Sequence, residues 1–121
     1  MKKIIVTGGS GFIGSNLVNF LIKKNYYVIN LDKLTYSANK YKNKLLNNKN
    51  YKLIKVDIIN KKKITQIIKK YKPKVIFNLA AETHVDRSID GPKNFIHTNI
   101  NGTFSLLESL RFLQKKKLRQ N

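Results

Sequence analysis

The sequence predicts an α/β fold with a parallel sheet that is doubly wound, so that helices cover both of its faces. Short apolar runs alternate with amphipathic stretches along the chain, which is the pattern of successive βαβ units. A glycine-rich turn follows the first apolar run directly, and Asp32 closes the second run. Such a turn and such an acid occupy the positions at which doubly wound folds bind a nucleotide.

The predicted strands are short apolar runs bounded by polar residues. They span residues 3–7, 27–31, 51–56 and 75–80. We expect a doubly wound sheet of order 3-2-1-4-5 that is truncated here after four strands. The outer edge of the fourth strand, with Val75, Ile76 and Phe77, is then expected to be unpaired and prone to association.

Three helices are predicted from apolar residues at helical spacing. The first helix follows the glycine turn, and its apolar pattern is Phe12, Ile13, Leu17, Phe20 and Leu21. The second carries Ile64, Ile67, Ile68 and Tyr71 on one face, with Asn60 as its cap and Pro73 as its stop. The third is predicted to start near Pro92 and to run through Phe95, Thr103, Leu106, Leu107, Leu110 and Leu113. Residues 36–50 are expected to form a loop with a weak helix over 41–46.

The glycine turn predicts a phosphate cradle of the Rossmann type. We expect Gly8 to adopt a backbone conformation closed to other residues, Gly11 to admit a pyrophosphate, and Gly14 to allow close approach of helix and strand. The amides that open the helix then face the anion. Asp32 is expected to accept hydrogen bonds from the adenine ribose and to repel a 2′-phosphate, which favours NAD over NADP. The neighbouring Lys33 leaves open some tolerance of a phosphate.

Composition narrows the class of protein. The 121 residues suffice for one domain, and the absence of cysteine excludes disulfides and thiolate chemistry and fits a cytoplasmic location. No apolar stretch approaches the length of a membrane span. The net charge of +19 suggests nucleic-acid binding, but arginine occurs only at Arg87, Arg111 and Arg119, and the remaining positive charge is lysine spread over the chain. We therefore expect only non-specific adhesion to polyanions.

Two further motifs accompany the glycine turn. They are Asp32-Lys33-Leu34-Thr35-Tyr36 and Leu79-Ala80-Ala81-Glu82-Thr83-His84-Val85-Asp86-Arg87-Ser88-Ile89. With them the chain resembles the extended short-chain dehydrogenase/reductases, and among these the nucleotide-sugar 4,6-dehydratases that act on dTDP-glucose. The resemblance covers essentially the whole sequence but only the first third of such an enzyme. It implies that residues 1–121 are an NAD-binding segment, that the catalytic and substrate-binding parts are absent, and that the full-length enzyme is a homodimer.

The resemblance also implies which residues contact NAD. These are Gly8, Gly11, Phe12, Ile13 and Gly14 in the turn, Asp32, Lys33, Leu34 and Thr35 after the second strand, and Asp57, Ile58, Leu79, Ala80, Ala81, Thr83 and Thr98 further along. Thr83 is expected to reach the sugar as well. In such enzymes NAD⁺ oxidises the sugar at C4, water leaves across C5 and C6, and the hydride returns to C6.

No catalytic residue is predicted in this chain. The Tyr-x-x-x-Lys pair and the Thr-Asp-Glu run of the resembled family have no counterpart in the sequence. Two tyrosine-lysine pairs have the same spacing but not the expected setting. Tyr36 and Lys40 lie in a predicted loop. Tyr51 and Lys55 lie on a predicted strand, where four residues separate the two side chains by about 13 Å. The residues His84, Asp86 and Ser88 do not form a hydrolytic triad in any familiar order, and the two histidines suggest no metal site.

Three alternatives to the dehydratase interpretation stay open. A UDP-sugar 4-epimerase shares the glycine turn and the cofactor, and the stretch from Thr83 to Ser88 is what favours the dehydratase. The choice of dTDP over UDP rests on the resemblance alone. A non-catalytic module that holds NAD or a nucleotide, and a basic domain that binds polyanions, are the remaining readings.

Overall fold

A computed structural model describes residues 1–34, 44–80 and 103–120 of the chain. Its strands are β1 (Lys3–Thr7), β2 (Tyr27–Asp32), β3 (Tyr51–Lys55) and β4 (Val75–Asn78). Its α-helices are α1 (Phe12–Lys23), α2 (Lys61–Tyr71) and α3 (Thr103–Gln120). A short 3₁₀ helix covers Lys44–Asn47.

The four strands form one parallel sheet in the order β3-β2-β1-β4, which confirms the predicted fold class. Ile4 pairs with Val28 on one side and with Val75 on the other, so β1 is the strand at which the winding reverses. In open α/β sheets a ligand binds beyond the carboxyl ends of the strands at this switch point. The glycine turn leaves β1 at that end of the sheet.

The chain divides into two compact units. The first comprises Met1–Asp57 and Lys72–Ala80, and therefore contains the whole sheet and α1. Its hydrophobic core is formed by α1 and one face of the sheet. The buried members of this core are Ile4, Val6, Val18, Leu21, Val28 and Tyr51. Because side chains alternate along a strand, Ile5 and Ile29 lie on the opposite face, and they are also fully buried.

The first helix is confirmed, but its predicted apolar pattern is partly wrong. Gly14, Val18 and Leu21 are the buried residues, and they follow one another at i, i+4 and i+7. Phe12, Ile13 and Phe20 lie on the far side of the helix and are exposed. Apolar character alone therefore did not identify the face of α1 that meets the sheet.

The second unit contains α2 and α3, which pack against each other. The predicted face of α2 is confirmed, since Ile64, Ile67 and Ile68 are buried. The Asn60 side chain accepts a hydrogen bond from the Lys63 amide at 3.2 Å, as expected of a cap, and the helix ends at Tyr71, two residues before Pro73. On α3, Leu106 and Ser109 are buried, while Phe104, Leu107 and Phe112 face outward.

Some predicted boundaries need correction. Strand β2 extends to Asp32, β3 ends at Lys55 and β4 ends at Asn78. The weak helix expected over 41–46 is a 3₁₀ turn at 44–47 in its described part. The predicted helix start near Pro92 lies outside the described residues. Within the described part of the chain, no helix is both long enough and apolar enough to cross a membrane.

The first turn of α2 opposes the helix dipole, and this can be tested. Lys61, Lys62 and Lys63 occupy it with no acidic residue among them. We expect Lys62→Glu to raise the free energy of unfolding by about 0.5 kcal/mol at low ionic strength, because a carboxylate is favoured near the helix N-terminus. Lys69→Glu makes the same change of net charge in the last turn and should not stabilise the protein. Thermal unfolding at low and high salt would test the pair, and equal effects of both variants would contradict the dipole explanation.

The outer strand of the sheet carries exposed apolar side chains. Val75 and Phe77 pair with Ile4 and Val6, so they point to the same face as the core, yet they are 45% and 36% exposed. Such a surface on a sheet edge favours association. We expect light scattering to show mass that increases with protein concentration, and Phe77→Lys to reduce this increase. Phe20→Lys, at an exposed phenylalanine of α1, is the matched control; an equal effect of both changes would point to net charge as the cause.

Candidate dinucleotide-binding site

The turn after β1 is closed by its own backbone. The Gly8 amide donates to the Leu31 carbonyl at 2.8 Å, which ties the start of the turn to β2. The Gly11 amide donates to the Gly8 carbonyl at 3.2 Å, and the Ser15 amide donates to the Gly11 carbonyl at 2.8 Å as the first hydrogen bond of α1. The chain therefore passes from strand to helix in four residues, with its direction fixed by hydrogen bonds.

Gly8 is required on two counts. Its φ of 71° lies in the left-handed region, which side chains with a Cβ rarely adopt. A Cβ on Gly8 would also stand 2.8 Å from the amide nitrogen of Ala80 and from the carbonyl group of Leu79. The turn and the end of β4 are thus in direct backbone contact. The prediction that both segments line one site is consistent with this contact.

A buried threonine joins the ends of β1 and β4. The Thr7 hydroxyl donates to Oδ1 of Asn78 at 2.5 Å and accepts from the Ala80 amide at 3.1 Å. The Leu79 amide donates to the Thr7 carbonyl at 3.0 Å. These bonds fix Leu79 and Ala80 beside the turn after β4 has ended.

Gly11 and Gly14 serve different purposes. A Cβ on Gly14 would overlap the Gly8 carbonyl oxygen and would lie 2.8 Å from Cα of Gly9, so the helix and the turn are too close for any side chain there. A Cβ on Gly11 would meet only the Gly8 carbonyl oxygen, at an ordinary 3.5 Å, and Gly11 has a φ of −77°. Nothing within the described protein requires glycine at this position, which leaves room above it for a ligand.

Asp32 is buried beside the turn and is only 8% exposed. Its Oδ2 accepts from the Ser10 amide at 3.0 Å, and its Oδ1 accepts from the Leu34 amide at 2.8 Å. A carboxylate offers about four lone-pair positions, so each oxygen can still accept one further hydrogen bond. Two neighbouring hydroxyl groups of a ribose would match these remaining positions.

Some amides of the turn and of the helix start donate to protein groups, and others have no acceptor in the described structure. The Gly9 amide donates to Oδ1 of Asn30 at 2.8 Å, and the Ser10 amide is bound by Asp32. Because the first helical bond of α1 starts at Ser15, the amides of Ile13 and Gly14 have no acceptor within the helix, and the described structure records none elsewhere for them. Donors for a phosphate are thus expected at the helix start and not in the turn itself.

Comparison with known proteins agrees with this geometry. A sequence model of the family described as GDP-mannose 4,6 dehydratase matches residues 5–120. The chain belongs to this family. It is also homologous to dTDP-glucose 4,6-dehydratases, as the resemblance predicted: the enzyme of Haemophilus influenzae is 51% identical over 110 residues, which cover 89% of this chain and 32% of that protein.

Solved structures with bound NAD are similar as well. A dTDP-glucose 4,6-dehydratase of Bacillus anthracis in complex with NAD is 36% identical, with a TM-score of 0.80 over 93% of this chain and 34% of that one. A UDP-glucose 4-epimerase of Brucella ovis in complex with NAD is 26% identical, with a TM-score of 0.77 over 94% of this chain and 33% of that one. The chain thus corresponds to the N-terminal part of 4,6-dehydratase homologues and spans about a third of their length.

Several residues that the 4,6-dehydratase resemblance assigned to NAD lie together in the structure. The glycine turn, Asp32 and Leu34 are joined by hydrogen bonds, and Leu79 and Ala80 contact the turn. Phe12 and Ile13 project from the helix start and are exposed. Lys33 follows Asp32 and is half-buried. The assigned positions Thr35, Ala81, Thr83 and Thr98 lie outside the described residues.

Asp57 and Ile58 differ in what they can offer an adenine. Asp57 follows β3 in the first compact unit, just after Val56, whose amide donates to the Asp32 carbonyl at 3.0 Å. Ile58 belongs to the second unit and is only 2% exposed. Its side chain has almost no free surface, so any contact that Ile58 makes with a ligand would have to come from its backbone.

The residues dismissed as catalytic groups fit that judgement where the structure describes them. Tyr51 is buried in β3, and its hydroxyl accepts a hydrogen bond from Nδ2 of Asn30 at 2.9 Å, so it is a core residue. Tyr36, Lys40, His84, Asp86 and Ser88 lie outside the described residues. Over residues 1–34, 44–80 and 103–115, no three acidic or histidine side chains are grouped as a metal site would need.

Sequence reasoning missed the polar residues beneath the turn. Asn30 and Ser10 are buried there, and Thr7 and Asn78 join the neighbouring strand ends. Asn30 was detectable as the one polar residue within the apolar run 27–31, at a position whose neighbours are all buried. Gly9 was also unexplained, because it falls outside the spacing of Gly8, Gly11 and Gly14.

Gly14 in α1 and Gly11 at its N-cap provide a test of this geometry. We expect Gly14→Ala to lower the free energy of unfolding by about 3 kcal/mol or more, since the new Cβ would overlap backbone atoms that cannot move aside cheaply. Gly11→Ala should cost about 1 kcal/mol at most, the loss expected when glycine at a helix N-cap becomes alanine. Urea unfolding of both variants would test this, and equal losses would show that Gly11 is also confined by the protein.

Proposed function

We propose that this chain is the NAD-binding part of a dTDP-glucose 4,6-dehydratase. The adenine ribose binds to Asp32, the pyrophosphate binds at the start of α1 over Gly11, and the nicotinamide half extends towards Leu79 and Ala80. Two features of the turn together carry the proposal. The carboxylate of Asp32 is buried on one side of it, and the amides of Ile13 and Gly14 have no acceptor among the described residues, whereas the other amides of the turn are already bonded. The NAD complexes of the similar structures support it.

The same site favours NAD over NADP. A 2′-phosphate would meet the Asp32 carboxylate in a poorly hydrated position, where repulsion between like charges is strong. Lys33 adjoins it in sequence, but a lysine beside a buried carboxylate that already holds two amides does not remove that repulsion. We therefore expect the chain to discriminate against NADP even though its net charge is +19.

The role of these residues is to bind and orient the cofactor. When bound, NAD supplies a reversible hydride acceptor for the sugar carbon. The glycine turn and Asp32 hold its adenosine and phosphate parts, and the fixed backbone of Leu79 and Ala80 sets how closely the other half approaches the sheet. The acid and base of the dehydration are assigned to the remaining two thirds of the relatives' length, as is most of the site for the dTDP-glucose substrate.

A homodimer is part of the proposal for the full-length enzyme. Leu106 of α3 is buried within the second unit and is therefore not available for a contact between subunits. Phe104, Leu107 and Phe112 are the outward-facing apolar residues of α3 and are the better candidates for such a contact.

Cytoplasmic location remains a prediction. A UDP-sugar 4-epimerase is the alternative, since the epimerase structure is almost as similar in fold; the 51% identity to a dehydratase favours our proposal.

Calorimetric titration with NAD tests the cofactor assignment. We expect the wild-type chain to bind NAD weakly, and Gly11→Ala to weaken binding by at least about tenfold while remaining folded, because its methyl group occupies the space assigned to the pyrophosphate. Ile22→Val, a conservative change at the far end of α1, is the control and should bind as the wild type does. A folded wild-type chain with no detectable binding at millimolar NAD would exclude the proposal.

Replacing Asp32 tests the choice between NAD and NADP. Asp32→Ala leaves two amides without their acceptor and will cost stability, so absolute affinity is a poor measure. The ratio of NADP to NAD affinity is independent of the folded fraction. We expect this ratio to rise by about tenfold or more in Asp32→Ala. An unchanged ratio would show that the carboxylate does not face the 2′ position.

A further inference from the structure

Asn30 is a fully buried polar residue in the middle of an apolar strand. It lies in β2 at 0% exposure, and every polar atom of its side chain has a partner. Its Oδ1 accepts from the Gly9 amide at 2.8 Å, and its Nδ2 donates to the Ser10 hydroxyl at 3.0 Å and to the Tyr51 hydroxyl at 2.9 Å. One side chain thus connects the turn, β2 and β3.

The chemistry of this position requires an amide. A carboxamide carries an acceptor and two donor hydrogens on one planar group, which is the set of bonds observed here. An aliphatic side chain would leave the Gly9 amide and the two hydroxyls buried without partners, and a carboxylate would carry an uncompensated charge into the core. The Gly9 amide can only donate, so it requires the carbonyl oxygen of the Asn30 side chain, and the Tyr51 and Ser10 hydroxyls accept from Nδ2 at the other end.

Asn30 also explains Gly9. A Cβ on Gly9 would stand 2.5 Å from Oδ1 of Asn30 and 2.6 Å from its Cγ, closer than real Cβ contacts. The three atoms nearest to that Cβ all belong to the Asn30 side chain. The tightest confinement of Gly9 thus comes from Asn30, and the two residues form one unit although they are far apart in sequence.

We propose that Asn30 is a positioning residue for the dinucleotide site, which it serves through Gly9 and Ser10 without touching the ligand. Its hydrogen bond fixes the position of the Gly9 amide. This sets the direction in which the backbone enters α1, so that the Ile13 and Gly14 amides face the phosphates. The Tyr51 and Ser10 hydroxyls hold the other end of the Asn30 side chain. The inference rests on the proposed NAD function, since positioning has meaning only if the site binds a dinucleotide.

A double-mutant cycle tests the unit formed by Gly9 and Asn30. Gly9→Ala alone should lower the urea midpoint strongly, because its methyl group overlaps the carboxamide. In the Asn30→Ala background that group is gone, and adding Gly9→Ala should cause little further loss, so the two changes are far from additive. Additive losses would overturn the claim that Asn30 confines Gly9.

NAD affinity tests positioning as distinct from mere stability. Measured on samples shown to be folded, Asn30→Ala should raise the Kd for NAD by about tenfold, because the Gly9 amide and the Ser10 hydroxyl both lose the partner that holds the turn in place. The amide resonances of Ile13 and Gly14 should shift in the same variant without ligand. Unchanged affinity and unchanged resonances in a folded variant would contradict positioning.

A second set of variants covers the case in which Asn30→Ala does not fold. Tyr51→Phe and Ser10→Ala each remove one of the two acceptors of Nδ2, and either alone should change the Kd for NAD by less than about threefold. The two together leave the Asn30 side chain held by the Gly9 amide alone and should weaken binding by more than the product of the single effects. A purely multiplicative result would overturn the inference. Failure of the wild-type chain to bind NAD would instead remove the proposed function, while the cycle on stability would still stand.

Discussion

The close approach of α1 to the turn after β1 is the constraint on which the site depends. The helix begins only four residues after the turn's first glycine, and a single added carbon at Gly14 would overlap the Gly8 carbonyl. Most amides of the turn are bonded to other groups of the protein, because a buried amide needs an acceptor and water does not reach it here. What remains for a ligand is the open end of the helix, and the direction of that end is set by the turn.

Asp32 links this construction to the choice of ligand. Its carboxylate holds the Ser10 amide of the turn and the Leu34 amide of the segment after β2, and both bonds lie in a poorly solvated position. The residue assigned to recognition of the ribose is therefore also a structural support of the phosphate site. In the proposed site, recognition of adenosine and of phosphate would be coupled through this one buried group, and substitutions of Asp32 are therefore best compared as ratios of affinities.

Much of this could be predicted from the sequence, and the remainder could not for physical reasons. The strands, the helices and the turn are predicted by the alternating apolar runs and by the spacing of Gly8, Gly11 and Gly14, since period and backbone conformation are encoded locally. The strand order follows from the doubly wound fold class that these features indicate. The predicted apolar pattern of α1 did not match its buried face, because Phe12, Ile13 and Phe20 are apolar but lie away from the sheet. The pair of Gly9 and Asn30 was invisible, because a contact across 21 positions of sequence needs the register between the turn and β2.

An NMR titration of the ¹⁵N-labelled chain with NAD tests the central claim most directly, namely that β2 binds the Gly9 and Ser10 amides of the turn and that the amides of the helix start are left to the ligand. We predict that the Gly9 and Ser10 amides exchange slowly with solvent both before and after NAD is added, while the Ile13 and Gly14 resonances move progressively as the site fills. Fast exchange of Gly9 and Ser10 in the free protein, or NAD-dependent shifts at those two amides with none at Ile13 and Gly14, would contradict it.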